Sequence, residues 1–105
     1  MPNGESKNWI RFLGALEGFY IMYGRWPEVI HMPPFFIRDL QEKLSEADLN
    51  KLQAKIKLVR DQDNPFCAYD DKGNEYDYSR VRGPIERPAV RAIDWLEINE
   101  PQYED

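Results

Sequence analysis

The segment from Tyr23 to Pro34 reads Tyr-Gly-Arg-Trp-Pro-Glu-Val-Ile-His-Met-Pro-Pro, and its glycine and three prolines leave the backbone few options. Gly24 can take the left-handed conformation that a helix C-cap requires. Pro27, Pro33 and Pro34 bar helix between them, because each lacks an amide donor and crowds the preceding turn. The segment therefore closes one helix, crosses the fold extended over Val29 to Met32, and opens a second helix with Pro34 at its first position.

Hydrophobic periodicity supplies the neighbours of this crossing. Trp9, Phe12, Leu13, Leu16, Phe19, Tyr20 and Tyr23 recur at three- and four-residue steps, which on a helix makes one broad apolar stripe. Gly14 and Gly18 share another side of that helix with Ile10, Ile21 and Met22. Each glycine costs helix stability, on the order of 1 kcal/mol relative to alanine, and close packing would offset that cost. The expected partner is another helix of the same domain, with a homodimer contact through Gly14 and Gly18 as the alternative. After Pro34, Phe36, Ile37, Leu40 and Leu44 share one helical face and Phe35 points away from it. Ser45-Glu-Ala-Asp48 has the spacing of a capping box, with Asp in place of Glu or Gln, and starts a third helix carrying Leu49, Leu52 and Ile56.

Ile56 to Arg60 has the β-branched and apolar content of a strand, ended by the turn cluster Asp61-Gln-Asp-Asn-Pro65. Phe66 to Asp70 and Asn74 to Tyr78 then read as two strands joined by Asp71-Lys72-Gly73, a three-residue hairpin loop with Gly73 as the left-handed residue. Pairing Asp70 with Asn74 puts Phe66 opposite Tyr78 and Ala68 opposite Tyr76 on one face. It leaves Cys67, Tyr69, Glu75 and Asp77 on the other. The slipped register would bury two carboxylates, which is costly without partners. Arg80, Arg82 and Gly83-Pro84 read as the exit loop. Pro88 permits a last helix with Ala89, Val90, Ile93 and Leu96, before an acidic tail. The order of elements predicts a small α+β domain spanning 1–105, with frayed ends at 1–6 and 99–105. Its mainly antiparallel sheet would carry a β-hairpin in the C-terminal half, packed on three to four helices.

Charge and cysteine usage narrow the function. The chain has 19 acidic and 14 basic side chains and a net charge of -5, and from Asp61 onward only five basic residues oppose twelve carboxylates. This balance disfavours a dedicated nucleic-acid or anionic-membrane binder. The apolar run after the N-terminus is broken by Arg11 and Glu17, so neither a signal peptide nor a membrane span is expected. Cys67, the one cysteine, suggests a reducing, cytoplasmic setting.

No motif names a reaction. Cys67 and His31 form the one possible nucleophile and base, but no third group to orient the base is visible, and Asp77 opposite Cys67 disfavours thiolate. His31 is read instead as a structural side chain. Asp61, Asp63, Asp70 and Asp71 fail the EF-hand pattern, since Phe66 stands where its glycine belongs. No metal, cofactor or nucleotide cradle is expected. Arg87 and Arg91 are read as paired internally with carboxylates such as Glu86 or Asp94. Lys43, Lys51, Lys55, Lys57 and Arg60 are read as a solvated face. The favoured function is a non-enzymatic protein-interaction module of inhibitor, immunity or adaptor type. It would meet a basic protein partner through an acidic and aromatic hairpin surface of Tyr69, Glu75 and Asp77. The alternative is an anion or nucleic-acid module using Arg80, Arg82, Arg87, Arg91 and the lysine-rich third helix. A small hydrolytic enzyme is third.

Overall fold

Three segments, residues 4–63, 66–78 and 91–99, are described by the computed structural model. Helix α1 (Gly4–Tyr23) stops where Gly24 takes a φ of 76° and donates its amide to the Tyr20 carbonyl at 2.8 Å. Strand β1 (Val29–Met32) follows, and Pro33 caps α2 (Pro34–Lys43) with Pro34 at its first position. Helix α3 (Glu46–Lys55) is capped by Ser45, whose hydroxyl accepts the Asp48 amide at 3.1 Å, so the short capping box works from its serine half. Strands β2 (Lys57–Arg60), β3 (Cys67–Tyr69) and β4 (Glu75–Asp77) complete the sheet, and α4 (Ala92–Leu96) is the last described element.

The fold is α+β, with a four-stranded mixed sheet in the order β2-β1-β3-β4. The β1–β2 pair is parallel, its crossover made by α2 and α3, and the other two pairs are antiparallel. The hairpin register is the expected one, Cys67 with Asp77, Ala68 with Tyr76 and Tyr69 with Glu75. The inward row Ile30, Ala68 and Tyr76 is buried, as are Met32 and Phe66 beside it. Phe12, Leu16, Phe36, Leu40 and Leu52 from the helices meet them, and each such side chain removed from water contributes about 1.5–3 kcal/mol. Phe35 is exposed, as its helical phase requires.

Two expectations are corrected. The glycine side of α1 meets the sheet, where another helix or a second copy was expected. A Cβ on Gly14 would lie 2.6 Å from the Tyr78 ring, and one on Gly18 would overlap the ring of Tyr76. The glycines allow a helix to lie flat on two tyrosine rings of the hairpin. The last helix is also shorter than expected. Arg91 has extended backbone and serves as its N-cap, so α4 begins only at Ala92. Ala89, Val90 and the proline at 88 lie outside the described residues.

The reason for the late start is a long-range contact. Glu17 of α1 is buried, and its Oε2 accepts from Arg91 Nε at 2.9 Å and from the Ala92 amide at 3.0 Å. The carboxylate thus acts as the cap of α4 from another helix. At the other end, Lys55 of α3 reaches the Trp95 carbonyl and lies over the Trp95 ring, which stacks on Trp26 at 4.7 Å and 7°. Lys51 also reaches the Glu97 carbonyl. Two of the lysines expected in a solvated face are therefore spent holding α4.

The glycine contact yields a direct test. Gly18→Leu is expected to destabilise the protein by about 1–3 kcal/mol, the usual cost of overpacking a tight contact. Gly18→Leu combined with Tyr76→Ala is expected to cost less than the two changes summed, because the ring that clashes is gone. Denaturant titration of the four proteins closes the cycle, and strictly additive costs would show that the helix does not rest on Tyr76.

Candidate functional site: the outward face of the sheet

Because α1, α2 and α3 pack on the inward rows, the alternate residues of all four strands project to the opposite face. They form two rows across the sheet. Lys57, Val29, Tyr69 and Glu75 make the first, and Val59, His31, Cys67 and Asp77 the second. Tyr69 and Asp77 are half-buried and Glu75 is exposed. The three residues singled out in the sequence as a binding surface are brought together by the register.

The second row contains more than the sequence suggested. His31 stands directly opposite Cys67 in the β1–β3 ladder, so the two share one face. Its Nδ1 lies 2.9 Å from Asp61 Oδ2, just beyond the end of β2. The expectation that no group orients His31 is thus corrected, since Asp61 does so. No local motif signals this contact. Asp61 comes beside His31 only because β1 and β2 run parallel, with His31 aligned to Val59. His31 also packs on the Tyr69 ring, with centroids 4.7 Å apart.

Cys67, although on the outward face, is buried at 1% exposure. Its side chain is in hydrogen-bond contact with the Tyr69 phenol. That bond first, then burial, then negative charge on Cys67 and Glu75, push the phenol well above its ordinary range. Across the ladder stands Asp77. A thiol needs solvent access to react, and Cys67 is buried with the Tyr69 phenol against it. The row holds the residue types of a cysteine hydrolase, with the sulfur buried and in contact with the Tyr69 phenol.

The hairpin that carries Tyr69 is held at both ends. At the loop, Asp70 accepts from the amides of Lys72 and Asn74 at 2.9 Å each and from Asn74 Nδ2 at 2.8 Å, and pairs with Arg25. Burial alone would raise the Asp70 carboxyl. The Asn74 side-chain bond, the two amide bonds and the Arg25 charge outweigh it and bring the carboxyl down to about 2. Beside it, Glu28 Oε2 accepts the Asp71 amide at 2.8 Å. At the free edge of β4, the Tyr23 hydroxyl donates to the Glu75 carbonyl at 2.6 Å and accepts from the Glu75 amide at 3.3 Å.

The remaining candidates separate cleanly. Asp61, Asp63, Asp70 and Asp71 serve turns and pairs, Asp61 accepting the Asp63 amide at 2.9 Å, and no group among the described residues is arranged to hold a metal ion. Arg91 pairs internally, with Glu17 of α1. Arg80, Arg82, Arg87 and Glu86 lie outside the described residues. Among the described residues, no helix is long and apolar enough to cross a membrane.

Two outcomes follow. Asp70 has its folded pKa below the unfolded value, so its contribution is complete above the unfolded value of 3.8 and is lost as pH falls toward about 2. The stability gap between wild type and Asp70→Asn is therefore expected to be widest near neutral pH and to close between about pH 4 and 2, read by urea melts across that range. The Cys67 thiol is expected to react slowly with a disulfide reagent in the native state. Tyr69→Ala should accelerate that reaction about tenfold or more by opening the cover, without a matching loss of stability.

Compared with family models, with curated proteins and with solved structures, the chain matches none of them.

Proposed function

We propose that this protein is a small non-enzymatic interaction module whose outward sheet face receives a basic segment of a protein partner in the cytoplasm. The observation that carries the reading is the composition of that face. Tyr69 stands half-exposed between Glu75, Asp77 and the Asp61–His31 pair, and Lys57 is the one lysine or arginine that the strands project there. An immobilised tyrosine offers a large contact at little entropic cost, because its ring is already held by His31 and Cys67. The surrounding carboxylates supply a field that steers a cationic partner and raises its association rate.

The buried thiol argues in the same direction. A catalytic cysteine needs access, whereas Cys67 is sealed beneath the side chain that would touch the partner. His31, oriented by Asp61, then serves to brace the Tyr69 ring.

The test is capture with purified variants. Wild type and a Tyr69→Ala, Glu75→Lys double variant, each tagged, are passed over lysate of the native host and the bound proteins identified by mass spectrometry. A specific partner with a basic contact segment is expected on wild type and absent from the variant, with the association rate falling as salt rises. A partner held equally by both proteins removes this face from consideration.

A further inference from the structure

The two edges of the sheet are treated differently. On β4, Tyr23 occupies both the amide and the carbonyl of Glu75, so the outer edge of that strand is already paired at its first residue. On β2, the Lys57 amide donates to the Glu28 carbonyl and the Asp61 amide to the Met32 carbonyl, which sets the direction of every peptide between them. In a parallel ladder the alternate residues turn away, so the amides and carbonyls of Leu58 and Arg60 face outward. No strand among the described residues pairs with that edge.

An open edge is a template for another strand, and its side chains decide which strand is admitted. Lys57 and Arg60 are both exposed and lie on opposite faces of β2, one at each end, with the half-buried Leu58 and Val59 between them. Asp61, the next residue in the chain, is turned to His31. A strand carrying lysines at the matching positions would be repelled by Lys57 and Arg60. A strand with a carboxylate at each end of two apolar residues meets an opposite charge on both faces. The overall charge of -5 does not cancel this, because the contact is made within a Debye length of about 8 Å at physiological salt.

The geometry points to β2 as a strand-addition site for an extended acidic segment of a partner protein, with two apolar residues between two carboxylates. This site runs along the strand edge, shares Lys57 with the outward face, has the opposite charge preference, and is distinguished from that face by Arg60 and by the outward amides of Leu58 and Arg60.

The probe is a fluorescein-labelled Thr-Glu-Val-Ile-Glu-Thr peptide, followed by anisotropy, with Thr-Lys-Val-Ile-Lys-Thr as its counterpart. Saturable binding of the acidic peptide is expected, weakened about tenfold or more by Lys57→Glu, a change at an exposed side chain that leaves the fold intact. Arg60→Pro, which removes an outward donor and no ladder bond, is expected to abolish it. Amide exchange is expected to slow at Leu58 and Arg60 on binding, and to stay unchanged at Lys57 and Val59. Equal binding of the lysine peptide, protection centred on Tyr69, closure of the edge by self-association in sedimentation, or no saturable binding at all would each overturn the proposal.

Discussion

The close approach of α1 to the hairpin is the contact on which the remaining structure depends. Gly14 and Gly18 lie against the rings of Tyr78 and Tyr76, and a side chain at either position would lift the helix from the sheet. With the helix seated there, Phe12, Leu16 and Phe19 are directed into the interior, and the inward side of the sheet is settled as the one bearing Ile30, Ala68 and Tyr76. Burial first, and Tyr78 beside it, push the Tyr76 phenol above its ordinary range. Everything on the other side of the sheet follows by alternation. The outward rows owe their residue content to two positions where a side chain is missing.

A second set of contacts fixes the short final helix, which has little stability of its own. Five residues cannot hold a helix in water, since nucleation alone outweighs the few hydrogen bonds formed. Glu17 caps it from α1, and Lys55 and Trp26 hold Trp95 from the other side. These groups tie together α1, α3 and the segment between α1 and β1, so α4 closes the helical layer over Leu96 and Ala92. The Glu17 carboxylate is nearly solvent-free and bonded to both a guanidinium and an amide, which compensates for its lost hydration.

Local chemistry was legible in the sequence, and contacts between distant segments were not. The helix stop at Gly24, the strand over Val29 to Met32, the start at Pro34 and the cap at Ser45 all rest on residues within a few positions of one another. The hairpin register was equally readable, because the alternative would have buried Glu75 and Asp77. The partners of Gly14, Gly18, Glu17 and Lys55 lie 40 or more residues away, and no pattern of spacing reveals them. Arg91 illustrates the limit. Its pairing was anticipated in kind, but Glu86 and Asp94 were proposed because they are near in sequence, whereas Glu17 is near in space.

The same distinction governs the outward face. Tyr69, Glu75 and Asp77 were placed by a register that one segment determines. The burial of Cys67 and the Asp61–His31 contact arise from the meeting of β1, β2 and β3. That meeting changes the chemical meaning of the row. A histidine held by an aspartate beside a cysteine is, as a set of residue types, the equipment of nucleophilic catalysis, yet reactivity depends on what the sulfur faces. Here it faces a phenol and, across the ladder, a carboxylate, with no solvent path. Buried to 1% exposure, the cysteine packs as a small, soft side chain. Cys67 then fills the space beneath Tyr69, His31 supports the ring from the side, and Asp61 fixes His31. The row is thus read as the bracing of one aromatic side chain over a thiol that solvent does not reach.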